Sequence, residues 1–136
     1  AKDLIADEKD IKNAVFEISV LEGYDHVAKR LASEWEKIGI KVKTKSVNEL
    51  PGNFQILIYP ISLPSDPDQY TLWHSSQINN IAKYKNLRID KLLEDGRSTS
   101  DVEKRIGIYS DFQKYLIDDV PASFLYFPYQ YTLIRE

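Results

Sequence analysis

The sequence predicts an α/β fold, a mixed sheet flanked by helices, in a single domain over residues 1–136. Three observations predict it. Phe16, Ile18 and Val20 alternate with Glu17 and Ser19, the two-residue period of a strand with one buried face. Val27, Leu31, Trp35 and Ile38 then recur every three or four residues, as one face of a helix does. From Ile40 to Ser46 the alternation returns, now with lysines between. Strand–helix–strand at this spacing implies a parallel pair joined by a right-handed crossover.

The remaining elements follow in order. Residues 1–13 read as a helix end and a charged connector. Glu22-Gly23-Tyr24 is a turn, and Gly39 stands where a helix C-terminal glycine belongs. Asn48–Asn53, with Pro51-Gly52 inside it, is a second turn. The apolar run Phe54–Tyr59 predicts a central strand buried on both faces. Asn86 caps a helix carrying Ile89, Leu92 and Leu93, which Gly96 ends or loosens. Ser100-Asp101-Val102-Glu103 has the capping-box pattern, with serine at the N-cap. Val102, Ile106, Tyr109, Phe112 and Leu116 continue that helix until Asp118-Asp119-Val120-Pro121 stops it. Ser123–Ile134 is rich in aromatics and reads as β structure broken at Pro128.

Composition narrows the function classes. With 136 residues, 43% apolar and 29% charged, the chain is an ordinary globular domain. The net charge of -3 and the scattered basic residues leave no nucleic-acid footprint. Without cysteine there is no disulfide, no thiol chemistry and no cysteine-bound metal. No apolar run reaches the roughly 20 residues of a membrane span. Methionine is absent, so Ala1 is read as the start of a mature product or an excised piece.

The stretch SLPSDPDQYTLWHSSQ, residues 62–77, concentrates the reactive residue types. Asp66, His74 and Ser75 are the types of a hydrolytic triad, but no strand-to-helix elbow of the G-x-S-x-G kind exposes the serine. Asp66, Asp68 and His74 do not have the spacing of a calcium loop or any other metal motif. Capping accounts for the aspartates better. Asp66 at the N-cap, Pro67 at N1 and Gln69 at N3 start a helix whose dipole Asp68 complements. The segment also leaves the carboxyl end of a buried strand, where ligands bind in open α/β sheets. The turn at Leu21–Tyr24 leaves the other such edge. Tyr24, Tyr59, Ser62, Leu63, Trp73 and His74 are therefore the candidate ligand-binding residues, with lobe packing as the alternative for each. No catalytic residue, metal or cofactor is expected.

The ordered motifs carry a family resemblance. W-x-K-I-G-I-K-V (Trp35–Val42) precedes an F-x-I-x-I strand, then DPD and WHSSQ. N-x-x-I-D-K-L-L-E, a D-x-E-K-R-x-x-x-Y helix, D-x-P and L-Y-F-P follow. Over residues 14–136 the chain resembles the C-terminal part of the extracellular solute-binding proteins of ABC importers, family 5, whose members bind peptides, nickel complexes and some sugars. The resemblance implies most of the second lobe of a type II periplasmic binding protein, without the first lobe. It implies a non-catalytic receptor that closes two lobes on a small peptide or other solute and delivers it to an ABC permease. The parent would be a lipoprotein or free periplasmic protein, at the extracellular face of the membrane or in the periplasm, and the isolated lobe a monomer. Two departures stand out. Leu63 occupies the position where many peptide-binding members carry an aspartate for the peptide amine. Residues 48–53 are also too few for the helix the family usually places there. The rival function is a structural or partner-docking module without a small ligand.

Overall fold

The computed structural model describes residue 11, residues 14–129 and residues 132–134. Of the connector expected over 1–13, all but residue 11 lies outside the described residues. The chain divides into two compact units, residues 1–63 and 64–136.

The first unit contains a three-stranded parallel sheet and a helix that crosses it. Strand β1 (Val15–Leu21) pairs with β2 (Lys41–Val47) from Val15↔Lys41 to Leu21↔Val47. It pairs on its other side with β3 (Ile56–Ile58), from Ile18↔Ile56 to Val20↔Ile58, so the order is β2-β1-β3. Helix α1 (Asp25–Lys37) crosses between β1 and β2. Ile18, Val20, Ala28 and Ile58 form its core, with Val27, Leu31 and Val42 packed against them. The rings of Phe16 and Trp35 meet edge to face at 6.3 Å. At the end of α1, Gly39 has φ +93°, its N–H donates to Glu36 O (2.9 Å), and Ile40 N–H donates to Trp35 O (3.1 Å). Only a residue without a Cβ takes that left-handed turn at little cost.

One expectation changes here. The run 54–59 predicts a central strand, but β3 is short and β1 is central among the described strands. The Gln55 side chain, not a backbone carbonyl, receives the Glu17 N–H (2.8 Å), so the ladder begins late. Pro60 has no N–H to continue it. No helix intervenes in 48–53, as the short connection requires.

The second unit is helical: α2 (Tyr70–Trp73), α3 (Leu87–Ser98) and α4 (Val102–Asp119). Trp73, Ile89, Leu93, Tyr109, Phe112 and Leu116 are its core. Asn86 caps α3 as expected, accepting from Arg88 N–H (2.9 Å) and Ile89 N–H (3.3 Å). Gly96 neither ends nor loosens α3. It lies inside the helix, where a Cβ would stand 2.7 Å from Tyr109 Cζ, so the glycine lets α4 approach closely.

Three sequence readings are corrected in this unit. The N-cap of α4 is Asp101, which accepts from Lys104 N–H (3.1 Å), not Ser100. Val102 and Ile106 are exposed, and the buried stripe starts only at Tyr109. Ser123–Tyr129 forms no strand, because the second unit offers no other described strand to build a ladder. Phe124 packs edge to face on Trp73 at 6.2 Å, whereas Phe127 and Tyr129 are exposed. Among the described residues no helix is long and apolar enough to cross a membrane.

Candidate functional site

In the first unit the candidate site is the edge where three parallel strands end. Chain leaving β1 turns at Gly23 (φ +92°), and Tyr24 N–H closes the turn onto Leu21 O (3.0 Å). The Tyr24 carbonyl then accepts the Val27 N–H (2.9 Å), which starts α1. The Tyr24 ring is half-buried against the sheet core. Glu22 N–H ties this turn to Val47 O at the end of β2 (2.8 Å). The Ser46 hydroxyl donates to Asp25 and pulls its carboxyl below the usual range. Between the two turns runs an open groove of about 460 Å³ lined by Glu22, Lys45, Ser46, Asn48 and Glu49.

β3 leaves the sheet as Tyr59-Pro60-Ile61-Ser62-Leu63, exposed throughout. Ile61, Ser62 and Leu63 make no hydrogen bond with any described residue. Tyr59, Ser62 and Leu63 are thus accessible, as a binding segment requires.

The second unit treats the reactive-looking stretch differently. Asp66 Oδ1 accepts Asp68 N–H (2.8 Å), and Asp68 Oδ1 accepts Tyr70 N–H (2.9 Å). Two successive side-chain turns thus lead into α2, whose N-cap is Gln69 rather than Asp66. Arg105 holds Asp66 by a fork, Nη2 to Oδ1 at 2.6 Å and Nη1 to Oδ2 at 3.1 Å. That pairing, with the Asp68 N–H, keeps the Asp66 carboxyl below its ordinary range. Arg97 Nε donates to Asp68 Oδ2 (2.7 Å) while its guanidinium lies 4.3 Å above the Tyr70 ring. Tyr70 in turn stacks on His74 at 4.2 Å.

Trp73 and His74, expected on a ligand wall, are 5% and 8% exposed. Trp73 is core. His74 Nδ1 accepts the Ser76 N–H (3.2 Å), which leaves the ring proton on Nε2, facing Glu94 Oε1 at 3.4 Å. Ser75 gives its N–H (2.8 Å) and its hydroxyl (2.5 Å) to the two oxygens of Asp90. Ser75 is therefore paired with Asp90 and not with His74, and no triad forms. Among the described residues no group of three or more His, Asp or Glu is arranged to hold a metal.

The sequence reading missed Asp90, Glu94 and Arg97. They stand at i, i+4 and i+7 on α3, beside the apolar stripe of Ile89, Leu93 and Gly96. A polar stripe at helical spacing signalled a partner, but not which one, since the partners lie 15 to 29 residues away.

No family model matches the chain. Individual proteins do. The oligopeptide-binding protein AppA of Bacillus subtilis is 32% identical over 144 residues, covering 95% of this chain and 26% of that protein. This chain belongs to the family 5 solute-binding proteins. Protein XP55 of Streptomyces lividans is 35% identical over 74% of the chain and 20% of its own length. The solved structure of the B. subtilis AppA, in complex with a nonapeptide, superposes with a TM-score of 0.70 over 79% of the chain and 24% of that structure. NikZ of Campylobacter jejuni, in complex with Ni(L-His), follows at 27% identity and TM-score 0.67, over 79% of the chain and 25% of NikZ. The chain thus spans about a quarter of the length of these solute-binding relatives, and its α/β fold is theirs.

Proposed function

We propose that this chain is part of the ligand-binding lobe of a solute receptor for an ABC importer, with oligopeptide as ligand. The receptor is non-catalytic and works by closing two lobes on its ligand. Both compact units belong to that one lobe. The single observation behind the ligand class is identity along nearly the whole chain to an oligopeptide-binding protein. Supporting it, Tyr59, Ser62 and Leu63 are exposed at the carboxyl end of a parallel strand, and Tyr24 stands at the end of the neighbouring one. Trp73 and His74 are buried within the second unit and stand outside the proposed ligand contacts. The partner in the cell is an ABC permease, and the receptor works at the outer face of the cytoplasmic membrane or in the periplasm. Extended peptides bind through backbone groups, which tolerates varied side chains.

Calorimetric titration with an oligopeptide mixture tests this. The full-length receptor gives a saturable isotherm, and the 136-residue chain alone, lacking closure, gives none. Absence of binding by the full-length receptor would refute the reading.

A further inference from the structure

The segment after β3 is uncharged, exposed and without hydrogen bonds to described residues at Ile61, Ser62 and Leu63. From Phe54 to Ser65, FQILIYPISLPS, there is no charged residue. Tyr59, Ile61 and Leu63 are 39%, 42% and 44% exposed, at every second position. Pro60 and Pro64 fix their own φ and push Tyr59 and Leu63 toward extended backbone. In extended chain, alternate side chains share a side. Tyr59, Ile61 and Leu63 thus offer three large exposed apolar groups at alternate positions, with Pro60 and Ser62 between them. The N–H groups of Ile61, Ser62 and Leu63 find no partner among the described residues. The next charged residue along the chain, Asp66, has its carboxylate occupied by Arg105.

From this we infer that the 59–63 segment selects peptides with apolar, uncharged side chains at alternate positions; the inference rests on the peptide-receptor reading. An extended peptide beside the segment satisfies the free backbone groups and lays every second side chain against these apolar groups. A lysine or glutamate there loses water and gains no counter-charge, because the segment has none. Backbone pairing supplies affinity, and the apolar groups supply the choice of side chain.

The test uses the full-length receptor and three peptides: Gly-Leu-Gly-Leu-Gly and its lysine and glutamate counterparts. Wild type binds the leucine peptide at least about 10-fold more tightly than either charged one, the scale of a lost apolar fit. Ile61→Asp with Leu63→Asp removes that preference and favours the lysine peptide. Both positions are exposed, so an unchanged unfolding midpoint accompanies the change. Should the double aspartate variant misfold, Ile61→Ser with Leu63→Ser abolishes the preference in the same way. Equal affinity of wild type for all three peptides overturns the apolar selection and leaves the receptor reading standing. A preference that survives in the folded variants overturns it too. No binding of these peptides or of a random peptide mixture overturns both.

Discussion

The two units divide chemistry from accessibility in opposite ways. The second contains the residues that look reactive, and nearly all of them are engaged. Asp66 is forked by Arg105, Asp68 held by Arg97, His74 by Ser76 and Glu94, Ser75 by Asp90. The first unit's outgoing segment 59–63 has plain apolar and hydroxyl side chains, and three of its residues bond to no described residue. A polar group already satisfied inside the protein has little left to offer a ligand, while an exposed unpaired backbone has much. The polar groups of the WHSSQ motif are spent inside the second unit, and the groups left open to a ligand lie in the quieter loop.

The largest test of that contrast is Trp73→Ala. Deleting a buried core ring costs about 3–5 kcal/mol of stability, read as a lowered urea midpoint. Leu63→Ala, an equally drastic truncation at an exposed site, changes stability by no more than about 0.5 kcal/mol. Similar losses at the two positions would erase the distinction. Gly96→Ala comes next. Alanine favours helix by up to about 1 kcal/mol, but its methyl meets the buried Tyr109 ring, and the overpacking costs about 1–3 kcal/mol. Net destabilisation in the same urea assay confirms the close approach of α3 and α4. Asp90→Ala then leaves the Ser75 N–H and hydroxyl without their acceptor, a loss of about 1–3 kcal/mol.

The smallest effects are set by pH. Asp66 and Asp119 have carboxyls held below the ordinary 3.8, by Arg105 and by the Tyr84 hydroxyl with the Asn86 amide respectively. Their contribution is complete above that ordinary value and is lost as pH falls through the lower folded values. Asp66→Asn therefore shows a flatter acid limb than wild type in unfolding midpoints followed down from about pH 4. Tyr84 is pushed up to about 12 by burial, reinforced by its bond to Asp119. Its contribution is present below the ordinary 10.0 and lost as pH rises toward about 12. Tyr84→Phe removes that alkaline limb, and an unchanged limb would place the loss elsewhere.

Much of the first unit was legible in the sequence because its signals are local. Alternation marked β1 and β2, the 27–31–35 spacing marked α1, and Gly39 marked its end. The extent of β3 was not legible, since Gln55 replaces a ladder bond through a residue 38 positions away. In the second unit the helices were legible, but the cap of α4 fell one residue off because serine and aspartate both cap and stand side by side. The aromatic tail looked like a strand because apolar β-formers cannot declare whether a partner strand exists. The accessible candidates 59–63 followed from strand polarity. The structural role of Trp73 and His74 did not, because a helix four residues long has too short a period to show which side is buried.

Hydrogen exchange on the full-length receptor, with and without saturating oligopeptide, tests the central contrast most directly. Protection rises at the amides of Ile61, Ser62 and Leu63 when peptide is added, while residues 74–77 stay as protected as before. Unchanged exchange at 61–63, together with new protection at 74–77, would contradict the account and return the ligand to the WHSSQ motif.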